Sequence, residues 1–142
     1  MYPYIIEQGL EHLPGAKTVR QEVFMREQGF QNEFDDLDSL AYHIVVYDGE
    51  KPIATGRTYP KSHDGKTYAI GRIAVLRDYR GQHLGEFVVS RLEEIARQLT
   101  AEYTHLSAQI QARGFYEKLG YAGFGSIYLD EYCPHIAMGK KL

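Results

Sequence analysis

The 142-residue chain has one cysteine, Cys133, and no tryptophan. A lone cysteine excludes an internal disulfide and any zinc site built from cysteine pairs, and it fits a reducing compartment. The six histidines, at positions 12, 43, 63, 83, 105 and 135, show no paired ligand spacing, so no metal site is expected. No apolar run approaches the ~20 residues of a spanning helix. The start, MYPYIIEQGLEHL, has neither a basic leader nor a signal-length apolar segment. A cytoplasmic protein without a membrane partner is the expectation. One-signed charge is missing as well: a formal net charge of -3, with lysines and arginines dispersed, gives no field for nucleic acid.

What is present, 44% hydrophobic and 25% charged residues, is the composition of an ordinary globular protein, and the length suits one domain over residues 1–142. YIIE at 4–7 reads as a strand. Ala16, Val19, Val23 and Phe24 recur at helical spacing, predicting a helix over about 15–28 that Gly29 ends. Three β-rich runs follow, AYHIVVY, PIATGRTY and TYAIGRIAVL, separated by Asp48-Gly49 and Asp64-Gly65, which are strong hairpin signals. Leu84, Phe87, Val88, Leu92, Ile95, Ala96 and Leu99 form a helical stripe, with Glu93 and Arg97 as a surface i,i+4 pair. THLSA is a strand, ARGFYEKL a short helix, and YAGFGSIYL and HIAMGK the last strands. This order describes an α+β, or mixed α/β, domain with one twisted, mostly antiparallel sheet flanked by helices.

The densest chemical signal is VLRDYRGQHLGEF, residues 75–87, where a strand feeds a helix through a glycine-containing loop. The first amides of a helix have no internal acceptors and lie at the positive end of its dipole, so such a loop is a natural phosphate site. The glycines also serve a plain turn and close helix packing. Neither a Gly-Lys-Ser/Thr P-loop nor a G-x-G-x-x-G dinucleotide turn is present.

IAVLRDYRGQHLGEFVVSRLEEIA resembles the acyl-CoA-binding motif of the GNAT N-acetyltransferase superfamily, whose pattern is Arg/Gln-x-x-Gly-x-Gly/Ala after a strand. Arg80 and Gly85 match its ends, while His83 stands where the family usually has its middle glycine. QARGFYEKLGY is similar to a second family signature. VFMREQG, NEFDDLDSLAYHIVV, ATGRTY and YCPHIAMGK are similar to the ElaA-like branch of small bacterial members, so the resemblance covers nearly the whole chain.

The resemblance implies transfer of an acetyl group from acetyl-CoA to a primary amine by direct attack in a ternary complex, without a metal. It assigns the pyrophosphate to Arg80, Gly81, Gln82, His83, Leu84 and Gly85, and the pantetheine arm to the strand at Ile73, Ala74 and Val75, with Gln109 also on the coenzyme side. Arg77 or Arg80 would meet phosphate. Tyr116 matches the tyrosine that protonates the leaving thiolate; the other reading is a packing residue, one of twelve tyrosines. Glu33, His43 and His135 are candidates for receiving the amine proton, with water as the alternative, and His43 also reads as a core histidine. The partner is a small-molecule or peptide amine, and a homodimer is admitted.

Glu33, Asp35, Asp36 and Asp38 make an acidic cluster that points to a cationic acceptor or to a solvated loop. A two-residue Asp64-Gly65 loop would set Arg57 directly opposite Arg72, a repulsion that an anion must relieve. Either an anionic ligand lies between them or the acidic cluster, the internal partner at hand, forms a buried ion network with them, which is the favoured reading. A competing class of function is an acyl-CoA-binding regulatory or interaction domain with little turnover, motivated by His83.

Overall fold

A computed structural model describes residues 2–142. Seven strands, β1 (Tyr4–Gln8), β2 (Tyr42–Asp48), β3 (Lys51–Pro60), β4 (Thr67–Val75), β5 (Tyr103–Gln109), β6 (Ala122–Asp130) and β7 (Cys133–Lys141), form one sheet in the order β1-β2-β3-β4-β5-β7-β6. Every neighbouring pair is antiparallel except β4 with β5. The helices are α1 (Pro14–Arg20), α2 (Leu84–Gln98) and α3 (Arg113–Lys118). The expected α+β architecture with a mostly antiparallel sheet is what the chain adopts.

Alternation along β2 decides which helix lies on which face. Ile44 and Val46 join Val88 and Leu92 of α2 in the main core, whereas Val45 points the other way to Leu13 and Ala16 at α1. Val88 and Leu92 are fully buried, each stabilising the fold by roughly 2 kcal/mol. Gly56 lets α2 approach: a Cβ there would lie 2.7 Å from both Ile73 Cδ1 and Val88 Cγ1.

Two expectations change. The first helix starts as predicted, with Pro14 in its first turn, but continues over Gln21–Glu27 as a wider π-type stretch. Glu93 does not pair with Arg97; it is buried, accepts a 2.8 Å hydrogen bond from the Tyr121 hydroxyl and is met by Lys140 Nζ at 3.1 Å. The helix turns this acid inward because Tyr121, just before β6, and Lys140 of β7 bring those donors beneath it.

The hairpin register also departs from the simple expectation. Arg57 faces Gly71, not Arg72. Thr55 pairs with Ala74, so Arg72 and Ile73 together oppose Gly56, a bulge in which Arg72 takes φ +52°. The connection is longer than two residues because Ser62 and Asp64 organise a wider turn, the Asp64 carboxylate accepting from Ser62 Oγ and the Lys66 amide. Parallel pairing of β4 with β5 covers only Thr67 to Ala69 against Tyr103 to His105. Beyond those three pairs, the two strands part and leave the β5-facing edge of β4 unpaired.

Gly56→Ala is expected to lower the unfolding free energy by about 1–3 kcal/mol, because the added methyl overpacks a site closed by Ile73, Val88 and Leu92. Chemical denaturation checks this, and an unchanged midpoint would show that α2 can move away without cost.

Candidate active site

The wedge between β4 and β5 opens into a cleft of about 750 Å³. On one side stand Ile73, Ala74 and Val75 of β4 and the loop leading into α2. A short 3-10 turn, Arg77–Tyr79, is followed by two left-handed residues, Gly81 at φ +85° and His83 at φ +62°. His83 is the residue before the helix, and Phe87 N–H is the first to donate back, to the His83 carbonyl at 3.1 Å. Among the described residues, the amides of Gly81 through Glu86 donate to no backbone carbonyl. Gly81, His83, Leu84 and Gly85 line the cleft, and Gly85 abuts Phe115 of α3.

Two coenzyme-side candidates are placed differently from the expectation. Arg80 Nε donates to the Val75 carbonyl at 3.0 Å, and its two terminal nitrogens grip Glu27 at 2.9 and 3.0 Å. The guanidinium therefore braces the loop against the strand end. The same hydrogen bonds hold the Glu27 carboxyl below its ordinary value. Gln82 is not in the cleft wall; its side chain accepts from the Tyr2 hydroxyl at 2.9 Å. Gln109, at the end of β5, lines the cleft and donates to the Gln28 side chain at 2.8 Å.

Tyr116, on α3, also lines the cleft, its ring edge-on to Phe115 and Tyr121. Burial pushes its hydroxyl up to about 12, so the group keeps its proton at neutral pH. Across the wedge, His135 of β7 pairs in register with Gln109. Its Nδ1–H donates to the Cys133 carbonyl at 2.8 Å, which leaves the Nε2 lone pair unused among the described residues. Tyr128 stacks on the ring and Phe30 meets its edge.

Glu33 lines the cleft as well, but its carboxylate lies 2.9 Å from both Arg20 Nε and Arg72 Nε. Burial pushes this carboxyl up, against the pull of Arg72 and Arg20. Asp38 is the centre of the same network. It accepts from Arg20 Nη1 at 2.7 Å and Arg57 Nη1 at 2.8 Å, while Arg57 also holds Asp35 at 2.7 Å. Burial would raise Asp38, yet the hydrogen bonds and charge of Arg20, the Asp35 amide and Arg57 hold it at about 2. Arg57 and Arg72, which the bulge keeps from standing directly opposite, thus share Asp35 in an internal ion network. His43 lies outside the cleft wall, donating Nε2–H to the Asp38 carbonyl at 2.9 Å; burial pushes its imidazole down.

Residues 28–33 bridge the cleft. The Glu131 carboxylate at the β6–β7 turn accepts from the amides of Gln31 and Asn32 at 3.1 and 3.0 Å. Phe30 stacks on Tyr132, whose hydroxyl donates to the Gln28 carbonyl. Sequence reasoning missed a polar group on the same floor: Tyr59, Lys61, His105, Ser107 and Tyr128. The available signal was the alternation in THLSAQ, which puts His105, Ser107 and Gln109 on one face and Thr104, Leu106 and Ala108 in the core.

The model of the acetyltransferase (GNAT) family matches residues 9–121. The uncharacterized N-acetyltransferase YjcF of Bacillus subtilis is 40% identical over 139 residues, covering 96% of this chain and 97% of the relative. The crystal structure of an acyl-CoA N-acyltransferase from Pseudomonas aeruginosa superposes with a TM-score of 0.86 at 26% identity, covering 99% of each chain. Escherichia coli ElaA gives a TM-score of 0.85 at 25% identity, again over 99% of each chain.

The ion network makes an acid-stability prediction. Folded Asp38 keeps its charge to about pH 2, whereas an unfolded aspartate protonates near ~3.9, so its contribution is full above about pH 4 and is lost as pH falls through about 2. His43, neutral in the fold, costs stability below about pH 6.5, where the unfolded chain takes up its proton first. Glu33, raised, has the opposite sign and offsets part of the loss just above its ordinary range. Asp38→Asn should destabilise by about 3 kcal/mol at pH 7 and flatten the stability loss between about pH 4 and 2. Urea titrations across that range read both effects, and an equally steep acid limb in the variant would remove Asp38 from its cause.

Proposed function

Because the chain belongs to the acetyltransferase (GNAT) family, we propose that this acyltransferase moves an acetyl group from acetyl-CoA to a primary amine, which attacks the thioester directly while both are bound. The observation that carries this reading is the pairing, in one cleft, of an unpartnered strand edge with a loop of unused amides at a helix start.

These features fit a phosphopantetheine thioester. The amides of Gly81 through Glu86 face the start of the fifteen-residue helix α2, where a diphosphate finds hydrogen bonds and the positive end of the dipole. Arg80 holds that loop in place through Val75 and Glu27 and is not itself needed as the phosphate ligand. The free edge of β4 from Gly71 to Val75 offers backbone donors and acceptors to the amide-bearing arm, as an added strand would use them. A backbone N–H of the same strand supplies the fixed donor for charge developing on the thioester oxygen.

The proton movements follow from the side chains on either side of the wedge. Tyr116, protonated and in the cleft wall, gives its proton to the departing sulfur. His135 presents the Nε2 lone pair, held in that tautomer by Cys133, and receives the amine proton directly or through water. Glu33 serves a different role: tied by two guanidiniums, it shapes the wall instead of collecting protons. The amine must arrive uncharged, so the rate rises with pH until the amine is free base, and Tyr116 adds no fall below about pH 10.

Tyr116→Phe should lower kcat by about 100-fold with little change in the KM for acetyl-CoA, measured as thiol release with any competent amine. A KM effect alone would make Tyr116 a packing residue. His83→Gly should hold or improve acetyl-CoA affinity by calorimetry and raise stability by about 1 kcal/mol, since a side chain at φ +62° is strained where glycine is not. Weaker binding in that variant would show the imidazole to be a phosphate contact. Acetyl-CoA binding without thiol release to any amine would favour a regulatory binding domain over an enzyme.

A further inference from the structure

The acidic segment at residues 33–38 points, as sequence, to a cationic acceptor. In the fold, Glu33, Asp35 and Asp38 are matched by Arg20, Arg57 and Arg72, so the wall that this segment gives the cleft has no surplus negative charge. Of the cations in the cleft wall, Arg57, Arg72 and Arg80 all have carboxylate partners. Lys61 does not: the one side-chain hydrogen bond it makes among the described residues runs from Nζ to His105 Nδ1 at 3.1 Å.

We propose that the acceptor carries an anionic group, a carboxylate or a phosphate, several bonds from its amine, and that Lys61 receives it and so determines specificity. The inference rests on the acetyl-transfer reading and names the substrate class of that same cleft. His105 is the accepting neighbour that keeps Lys61 turned to the cleft floor; burial and the nearby ammonium both push its imidazole down, so it adds no competing charge. The hydroxyls of Ser107 and Tyr128 lie on the same floor, bonded to each other, and can turn toward an anion.

The spacing follows from the strand register. His105 pairs with Gly139, and Gln109, four residues further along β5, pairs with His135 at the reacting end. Four residues of strand span about 13 Å. The remaining carboxylates of this half lie at that reacting end. Both Glu131 oxygens already accept from the amides of Gln31 and Asn32, and Asp130 stands beside them at the hairpin end. An amine there and an anion at Lys61 match this distribution of charge, whereas a diamine would put its second ammonium against Lys61.

The test measures thiol release from acetyl-CoA with ω-amino acids of increasing chain length, ω-aminoalkyl phosphates, alkylamines of the same length and the corresponding diamines. One acid or phosphate series should exceed its matched alkylamines by about tenfold in kcat/KM, and the better of the two identifies the anion. In Lys61→Gln that ratio should collapse through KM, and Lys61→Arg should retain most of it; the residue is exposed, so the variants should fold. A preference for plain alkylamines or diamines, or a ratio unmoved in Lys61→Gln, overturns the inference while leaving the transferase intact. Acetyl-CoA binding with no thiol release from any amine overturns the transferase reading and the inference together.

Discussion

Asp38 holds Arg20 and Arg57 with one carboxylate, and the acidic wall of the cleft is anchored through that contact. Arg20 comes from α1, Arg57 from β3 and Asp38 from the segment between them, so three stretches far apart in the chain are fixed to one point. A buried ion cluster costs desolvation, which its Coulomb energy offsets only with close geometry and nearly complete hydrogen bonding. The geometry here is close. Asp38 also accepts from the Asp35 amide, closing a capping box over Asp36–Ser39, and its carbonyl accepts a hydrogen bond from His43 Nε2–H. The cluster therefore defines a conformation: it sets Glu33 against Arg72 and delivers residues 28–33 to the place where Glu131 can hold them.

The chemistry proposed for the cleft depends mainly on backbone. Loop amides, a strand edge and a fixed N–H need no particular side chains, only a chain path that leaves them unpaired. Side chains enter where protons move or where partners are chosen. The environment then decides what each can do: Tyr116 is kept protonated by burial, and His135 is held in one tautomer by a carbonyl. Arg80 shows the reverse case, an arginine beside a phosphate-type loop that acts as a brace because Glu27 and Val75 occupy its donors.

Features written in local patterns were legible in the sequence. The helical stripe of α2, the meander of β2 to β4 and the glycine-containing loop at the start of α2 are all short-range signals, and each is present where the pattern puts it. Tyr116 and His135 were singled out and do face one cleft, though from strand and helix neighbours that no spacing could bring together. What was hidden depends on tertiary partners. Glu93 reads as a surface residue until Tyr121 and Lys140 are beneath it. Lys61 and His105 are unremarkable in isolation, forty-four positions apart, and acquire meaning only through sheet order. The acidic cluster misleads for the same reason, since its neutralising arginines come from α1, β3 and β4.

The bulge at Arg72 and Ile73 makes the site a matter of counting. Were β4 one residue shorter at that point, Gly56 would meet a single partner and the ladder between β3 and β4 would run on regularly past Gly71, putting the strand's two halves in a new relation of face to face. Substitutions can retune what the pocket recognises while its frame stays in register, whereas a change of length at the bulge turns the side chains on one side of it to the other face of the sheet. An enzyme constructed this way can change customers by point mutation, yet a single-codon deletion in one strand would turn part of its wall inside out.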